Sequence, residues 1–426
     1  MRSITRVGGL AAALALGLHF AGGGLPQAVF AAPDNMVVDW NQTMLAAFAN
    51  AGVPPPAANR LGGIVQAAVF DAVNGIKKRY TPIHVQPAAP DEASPKAAVA
   101  SAAHEALVTL FAAQKPSLDA AFAASLQTIG DDEDAQAVAD GIAWGKTVAD
   151  QTLAWRAGDG FSATPPPYVF TTAPGQWQPT PGGSGPPKFR TLATTTPFAL
   201  TSPSQFRPAG PQALTSARYA QDFNEVKMLG GLKSMTRTAY QTETAEFWQF
   251  DLGIAQWDRV AATLLVQSHK NLLQTAHILA LTDIAITDTV IALWDAKNAF
   301  NSWRPVTAIV NADLDGNPDT TADPTWLPLL VTPYFQEYPS GHAGTSSAAA
   351  AVLASFFGDS TSFTMTSLGL PVVVRSFTSF HGAVEQVSDA RVLAGFHFRF
   401  ACDDANAMGV QIAAYVRSHL MLRTDD

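Results

Sequence analysis

The sequence predicts an all-α protein, with helices packed into bundles and one long Pro/Gly-rich loop segment between them. Three observations predict it. Ala-rich stretches carry Leu, Val and Phe at helical spacing, with few β-branched runs. The 426 residues are 47% hydrophobic and only 14% charged, which supplies a large buried core and is the wrong balance for a disordered chain. The single cysteine, Cys402, closes no intrachain disulfide and excludes a cysteine-rich zinc module, so the fold rests on packing.

At the N-terminus, Arg2 and Arg6 precede an apolar run from Leu10 to Phe20, and Val29-Phe30-Ala31 leads to a cleavage point. Residues 1–31 therefore read as a secretory signal peptide, and the mature protein is expected to be exported, periplasmic or extracellular, as one large domain over 32–426. A membrane anchor is the alternative. The run is shorter than the ~20 residues a span needs, and Gly22, Gly23, Gly24 and Pro26 break the chain directly after it. The adjacent arginine pair of a twin-arginine signal is missing, and no later stretch reads as a stable membrane span.

Helical periodicity covers Ala58–Ile76 and Ser94–Ala157, an N-terminal helical half over 58–157. From Gly158 to Gln212 the chain turns Pro- and Gly-rich, with Pro165-Pro166-Pro167 and Gly182-Gly183-Ser184-Gly185-Pro186-Pro187, and helices cannot persist there. This segment is a covering loop or an interdomain connection. Its interleaved Tyr168, Phe170, Trp177, Phe189 and Phe198 favour an ordered wrap over the body. The pattern resumes near Ser216, runs through Thr242–Asn298, and returns over His342–Phe357 and Phe380–Leu422, a C-terminal half over 216–422. Asp313 to Asp319 has the spacing of a calcium loop but lacks the closing Glu, and a plain turn accounts for it. No Gly-rich nucleotide loop, His-Glu-x-x-His pair or nucleophile elbow is present.

Lys and Arg total 26 against 35 Asp and Glu, a formal charge of -9, which excludes a basic nucleic-acid surface and requires any anion site to be local. Three segments supply one. Lys297 and Arg304 stand seven residues apart, two helical turns, so both cations and Trp294 are expected on nearly the same face, with Pro305 stopping or kinking the helix. Their aromatic and apolar neighbours argue against a solvated cationic face. In Tyr338-Pro339-Ser340-Gly341-His342, just before a helical Ala/Ser-rich run, the helix start offers free N–H groups and a positive dipole end. Ser340 adds a hydroxyl, Gly341 lets an oxyanion approach the backbone, and His342 is placed to exchange a proton with it. Ser340 as a simple N-cap is the alternative. In the third segment Arg391 and His397 lie in an otherwise apolar run, where buried charge needs a partner. Six residues turn a helix through about 240°, so either the anion is touched from two sides or the segment is not uniformly helical. Together the segments outline a pocket for a tetrahedral oxyanion of the phosphate or vanadate type.

The pattern Lys-x6-Arg-Pro, Pro-Ser-Gly-His and Arg-x5-His resembles that of the vanadium-dependent haloperoxidase and type 2 phosphatidic acid phosphatase superfamily. The likeness to bacterial haloperoxidase-like proteins extends over nearly the whole mature chain, through Gln66–Asn74, Thr196–Leu200, Gln205–Pro208 and Trp303–Ile309. The long N-terminal half favours the haloperoxidase branch. This resemblance implies helical bundles of the vanadium chloroperoxidase and acid phosphatase type. It also implies vanadate held by Lys297, Arg304, Ser340, Gly341 and Arg391 and bonded to His397, with phosphate as a competing occupant. His342 would be the acid/base for hydrogen peroxide, and Trp294 and Phe335 would border the halide pocket. The implied reaction is oxidation of halide, or of a small organic substrate, by hydrogen peroxide through a peroxovanadate on His397.

Two departures qualify the match. Ala401 stands four residues after His397, where members often carry an acid, while Asp403 and Asp404 follow at a different phase. Ser388-Asp389-Ala390 replaces the commoner Ser-Arg pair. In the phosphatases an Asp four residues on orients the nucleophilic His, so a phosphomonoester hydrolase with a phosphohistidine at His397 is the second expectation. An exported oxyanion-binding protein without activity is the third.

Overall fold

Helices begin where a cap or a proline stands ahead of an apolar, 3.6-periodic run. The structure, a computed structural model, describes residues 35–130 and 132–424, and the expected signal peptide over 1–31 lies outside the described residues. The first helix, α1 (Met36–Asn50), is capped by the Asn35 side chain and buries Met36, Trp40, Met44 and Phe48 at four-residue spacing. This element precedes the helical half expected from Ala58, and its exposed positions include Asp39 and Gln42. Next come α2 (Pro55–Lys77), α3 (Pro95–Leu110), α4 (Lys115–Gly130) and α5 (Ala135–Ala157), with proline in the first turn of α2 and α3.

The Pro/Gly-rich segment is an ordered wrap rather than an interdomain connection. Its regular element is one 3-10 stretch, Arg190–Thr194. It is tied down by buried charge: Asp159 accepts from Arg60 and Arg156, each at 2.8 Å, and the Arg156 guanidinium lies 4.1 Å from the centre of the Phe198 ring. The backbone N–H groups of Phe198, Ala199 and Leu200 all donate to Asp288. Burial pushes Asp288 up to about 6, against the pull of these three donors and of Arg156.

The C-terminal half opens with α6 (Ala217–Leu229), α7 (Ala239–Gln249) and α8 (Gly253–Gln267). The central element is α9 (Leu272–Phe300), started by a capping box between Asn271 and Gln274 and apolar on every face. By length and hydropathy α9 qualifies as a membrane span, but nearly all of its apolar window is buried inside the protein, as in a core helix. It packs on α2 at one side and, at the other, on α11 (Gly341–Phe357) and α13 (Arg399–His419). Helices α11 and α13 approach closely because both are glycine-bearing where they meet. A Cβ on Gly409 would sit 2.2 Å from the Gly344 carbonyl oxygen.

Three expectations need correction. Helix α9 ends at Phe300, where Asn301 takes a left-handed conformation (φ 49°), and Pro305 opens the short α10 (Pro305–Val310) instead of ending a helix. Lys297 and Arg304 are thus on separate elements. An antiparallel hairpin, β1 (Phe363–Ser367) and β2 (Leu370–Phe377), fills the gap before α12 (Phe380–Leu393), with Phe363 opposite Phe377. Finally, the stretch read as helical over 380–422 is broken between α12 and α13. Gly395 supplies φ 79° at that break, and a Cβ there would meet the Gly230 carbonyl oxygen at 2.6 Å. The Asp313–Asp319 segment is a turn, in which Asp315 accepts from the Thr320 hydroxyl and the Asn317 N–H.

Candidate active site

Four pieces of chain meet at the C-terminal end of α9: the end of α9, the start of α10, the start of α11 and the turn between α12 and α13. Lys297, in the last turn of α9, is fully buried. Its ammonium donates to the carbonyls of Gln336 and Glu337, each at 3.0 Å, and to that of Pro339. All three of its N–H bonds are therefore used to hold the loop that leads into Ser340. Arg304, at the start of α10, is equally buried and donates to the Phe335 carbonyl at 2.8 Å, the Phe396 carbonyl at 3.0 Å and His397 Nε2 at 3.0 Å. Convergence of the two cations, expected from helical phase, is achieved by hydrogen bonds to two other segments.

Ser340 occupies the N-cap position of α11, but its hydroxyl makes no capping bond. The buried Oγ has no hydrogen-bond partner. Its polar neighbour is the Cys402 thiol, which burial pushes up to about 12 against a weak pull from the Ser340 hydroxyl. Gly341 follows with open space on its Cα face, where an added Cβ would meet only Trp294, at 3.9 Å. Arg391, in the last turn of α12, donates to Gln249 at 3.0 Å and lies 4.8 Å from the centre of the Phe396 ring. The Arg304 Nη2 and Arg391 Nε groups are buried donors without a partner. His397 lies in the non-helical turn after Gly395, which settles the phase question left open by the Arg-x5-His spacing.

A cavity of about 360 Å³ reaches this cluster, with Gly341, His342, Arg391 and His397 on its wall beside Trp294 and Phe335. Lys297, Arg304 and Ser340 sit behind that wall. The Trp294 and Phe335 rings are 5.0 Å apart, and the Lys297 ammonium lies 5.7 and 5.4 Å from their centres. Segment 181–189 of the wrap roofs the cavity: Lys188 N–H donates to the Tyr334 carbonyl at 3.0 Å, and Phe189 meets Trp294 edge-on at 6.3 Å.

Electrostatically the cluster is positive. Burial, then the Arg304 charge, holds Lys297 well below its usual range, while burial moves Arg304 down to about 9 and Arg391 to about 10. Both imidazoles are held well below 6.5, first by burial and then by the charges of the three cations. Against these stands Glu337, pushed up to about 8 by burial and drawn down by Arg304 and Lys297. Its Oε1 lies 2.9 Å from His397 Nδ1, and its Oε2 is buried without a partner. Glu337, Gln249 and Lys188 are not among the residues expected from the sequence, and Phe189 is expected there only as an aromatic of the wrap. A lone acid in the apolar run Tyr334-Phe335-Gln336-Glu337-Tyr338 was the one available signal.

Residues 277–425 match a family model described as the VCPO second helical-bundle domain. Over 156 residues the chain is 31% identical to the vanadium chloroperoxidase of Curvularia inaequalis, a match that covers 30% of this chain and 25% of that protein. The chain thus spans about a quarter of the length of that curated relative. Among solved structures, a bacterial vanadium-dependent iodoperoxidase superposes with a TM-score of 0.79 at 24% identity, covering 92% of this chain and 99% of the other. A holo-type bacterial vanadium-dependent chloroperoxidase does so with a TM-score of 0.68 at 19% identity, covering 91% and 96%. Both likenesses are of fold.

Proposed function

We propose that this chain is a vanadate-dependent peroxidase of the vanadium-dependent haloperoxidase family, oxidising halide or a small organic substrate with hydrogen peroxide. The observation that carries the reading is the buried excess of positive charge: Lys297 and Arg304 are set against one acid, Glu337, Arg391 lies buried near them, and three buried donors or hydroxyls lack partners. Each uncompensated buried ion costs several kcal/mol, and an oxyanion with several acceptor oxygens relieves that cost.

The residues fit such a group. Arg304 Nη2, Ser340 Oγ, Arg391 Nε and the Gly341 N–H would hold its oxygens, Lys297 would add charge from behind, and His397 Nε2 would be its protein ligand. Vanadate bound there supplies Lewis acidity towards peroxide. His342, kept neutral by burial and by the neighbouring cations, accepts a proton from hydrogen peroxide entering the cavity. Trp294 and Phe335 form the apolar wall along which a halide approaches. Export through residues 1–31 completes the proposal.

One observation supports the second reading, a phosphomonoester hydrolase. The carboxylate that position 401 lacks is supplied to His397 Nδ1 by Glu337. A neutral His342 accepts protons more readily than it protonates a leaving group, which ranks halide oxidation first. Two assays on one preparation decide: halogenation of a phenolic dye with peroxide, halide and vanadate, and hydrolysis of an aryl phosphate without them. We expect vanadate-dependent halogenation that is lost in His342→Ala while vanadate binding persists. Hydrolysis alone, or halogenation indifferent to vanadate, would overturn the ranking.

A further inference from the structure

We propose that Glu337 is a positioning residue that fixes His397 in its Nδ1–H tautomer and so presents an unprotonated Nε2 to the oxyanion. It thereby takes over, from a different part of the chain, the part of the acid missing at position 401. The inference rests on the peroxidase reading only in what Nε2 is for; the tautomer itself follows from the geometry.

The two ring nitrogens of His397 face partners of opposite kind. On one edge, Arg304 Nη1 lies 3.0 Å from Nε2. A guanidinium only donates, so Nε2 must offer its lone pair there and the ring proton must sit on Nδ1. On the other edge, Glu337 Oε1 stands 2.9 Å from Nδ1 and accepts that proton in a hydrogen bond. The same oxygen accepts the Phe398 N–H at 3.1 Å, which ties the carboxylate to the backbone next to the imidazole it orients. The side chains of His397 and Glu337 are 3% and 1% exposed, so neither has room to choose another partner. A flipped ring would turn carbon atoms towards both groups.

Position 401 is committed elsewhere: its side chain is buried, and its carbonyl accepts the Ser340 N–H at 2.9 Å. Glu337, three residues before Ser340, instead joins the Pro-Ser-Gly-His segment to the Arg-x5-His segment through the two hydrogen bonds that its Oε1 accepts. A carboxyl oxygen on the far nitrogen of a ligating imidazole locks its orientation and tautomer, and removing such a partner costs about 10–100-fold in metal affinity.

The test uses the full-length protein with ¹⁵N-labelled histidine and no vanadate, together with calorimetric titrations of orthovanadate and of inorganic phosphate. Long-range ¹H–¹⁵N spectra are expected to show His397 neutral with its proton on Nδ1; a proton on Nε2 overturns the proposal. Glu337→Gln keeps an oxygen acceptor for Nδ1–H and is expected to hold vanadate within about tenfold of the original. Glu337→Leu removes the acceptor and should weaken vanadate by about 10–100-fold. Phosphate, which needs charge rather than the imidazole lone pair, should lose little affinity in either variant. Equal loss of vanadate in both variants, or loss of vanadate and phosphate together, overturns the assignment. Should Glu337→Leu fail to fold, the spectrum of the original and the Glu337→Gln titration still decide. An Nδ1–H spectrum without vanadate binding would sink the peroxidase reading and leave the tautomer assignment standing.

Discussion

Replacing Ser340 by alanine separates an anion seat from a helix cap, because the two roles call for changes of opposite sign. Ser340 has the position and extended backbone of an N-cap, but its buried hydroxyl caps nothing and has no hydrogen-bond partner. A working N-cap serine costs about 1 kcal/mol of stability when removed. A buried hydroxyl left unpaired instead burdens the folded state by roughly 1–3 kcal/mol, so its deletion should stabilise the protein by about 1 kcal/mol once lost packing is allowed for. Across roughly 390 described residues the unfolding entropy is on the order of 0.8 kcal/mol/K, and the gain amounts to about 1 °C in melting temperature. A shift in urea midpoint resolves this better. Phosphate binding should move the other way. A hydrogen bond to a charged group contributes about 1.5–3 kcal/mol, so Kd should rise roughly ten- to hundredfold in a calorimetric titration. The reasoning is refuted if Ser340→Ala loses 1 kcal/mol or more by urea denaturation while its phosphate affinity stays unchanged.

Gly395→Ala places a Cβ at φ 79° and 2.6 Å from the Gly230 carbonyl oxygen, and should destabilise the protein by on the order of 1–3 kcal/mol. Because this turn carries His397, vanadate affinity should fall with stability; a variant that melts early yet binds vanadate normally would dissociate the turn from the site. The third prediction concerns acid. Burial holds His277 at about 4, below its ordinary 6.5, while it stacks on Tyr80 and contacts the Met421 carbonyl. Between those two values the unfolded chain takes up a proton that the folded one refuses. The associated stability is present above pH 6.5 and is lost as the pH falls towards 4, by about 3 kcal/mol at 1.36 kcal/mol per unit. His277→Gln should flatten this part of the profile, checked by urea denaturation at pH 7 and 4.5. An unchanged slope would assign the acid sensitivity to other groups.

Most of the helices were legible in the sequence because a helix is a local object, set by 3.6-residue periodicity, caps and prolines within a few positions. Helix α1 lies outside the Ala-rich stretches, although its Met36, Trp40, Met44 and Phe48 stripe is regular. The hairpin was missed because strands of five and eight residues carry little periodic signal. The site was legible as a set of groups: two guanidinium groups, an ammonium, a hydroxyl, a helix start and two imidazoles cannot all lie in apolar surroundings without a common anion. How they meet was not legible. Helical phase places Lys297 and Arg304 together by a geometry that the left-handed turn at Asn301 abolishes, and they converge through carbonyls of the 335–339 loop instead.

Amino-acid order by itself determined which chemical groups this protein gathers and which helices bear them. Only the tertiary structure decided who touches whom: that Lys297 spends its three N–H bonds on carbonyls, that Ser340 is left free, and that Glu337 serves His397. The physical reason is range. The partners of His397 lie 60 and 93 residues away in sequence, and a hydrogen bond of about 3 Å between them exists only after the core has packed.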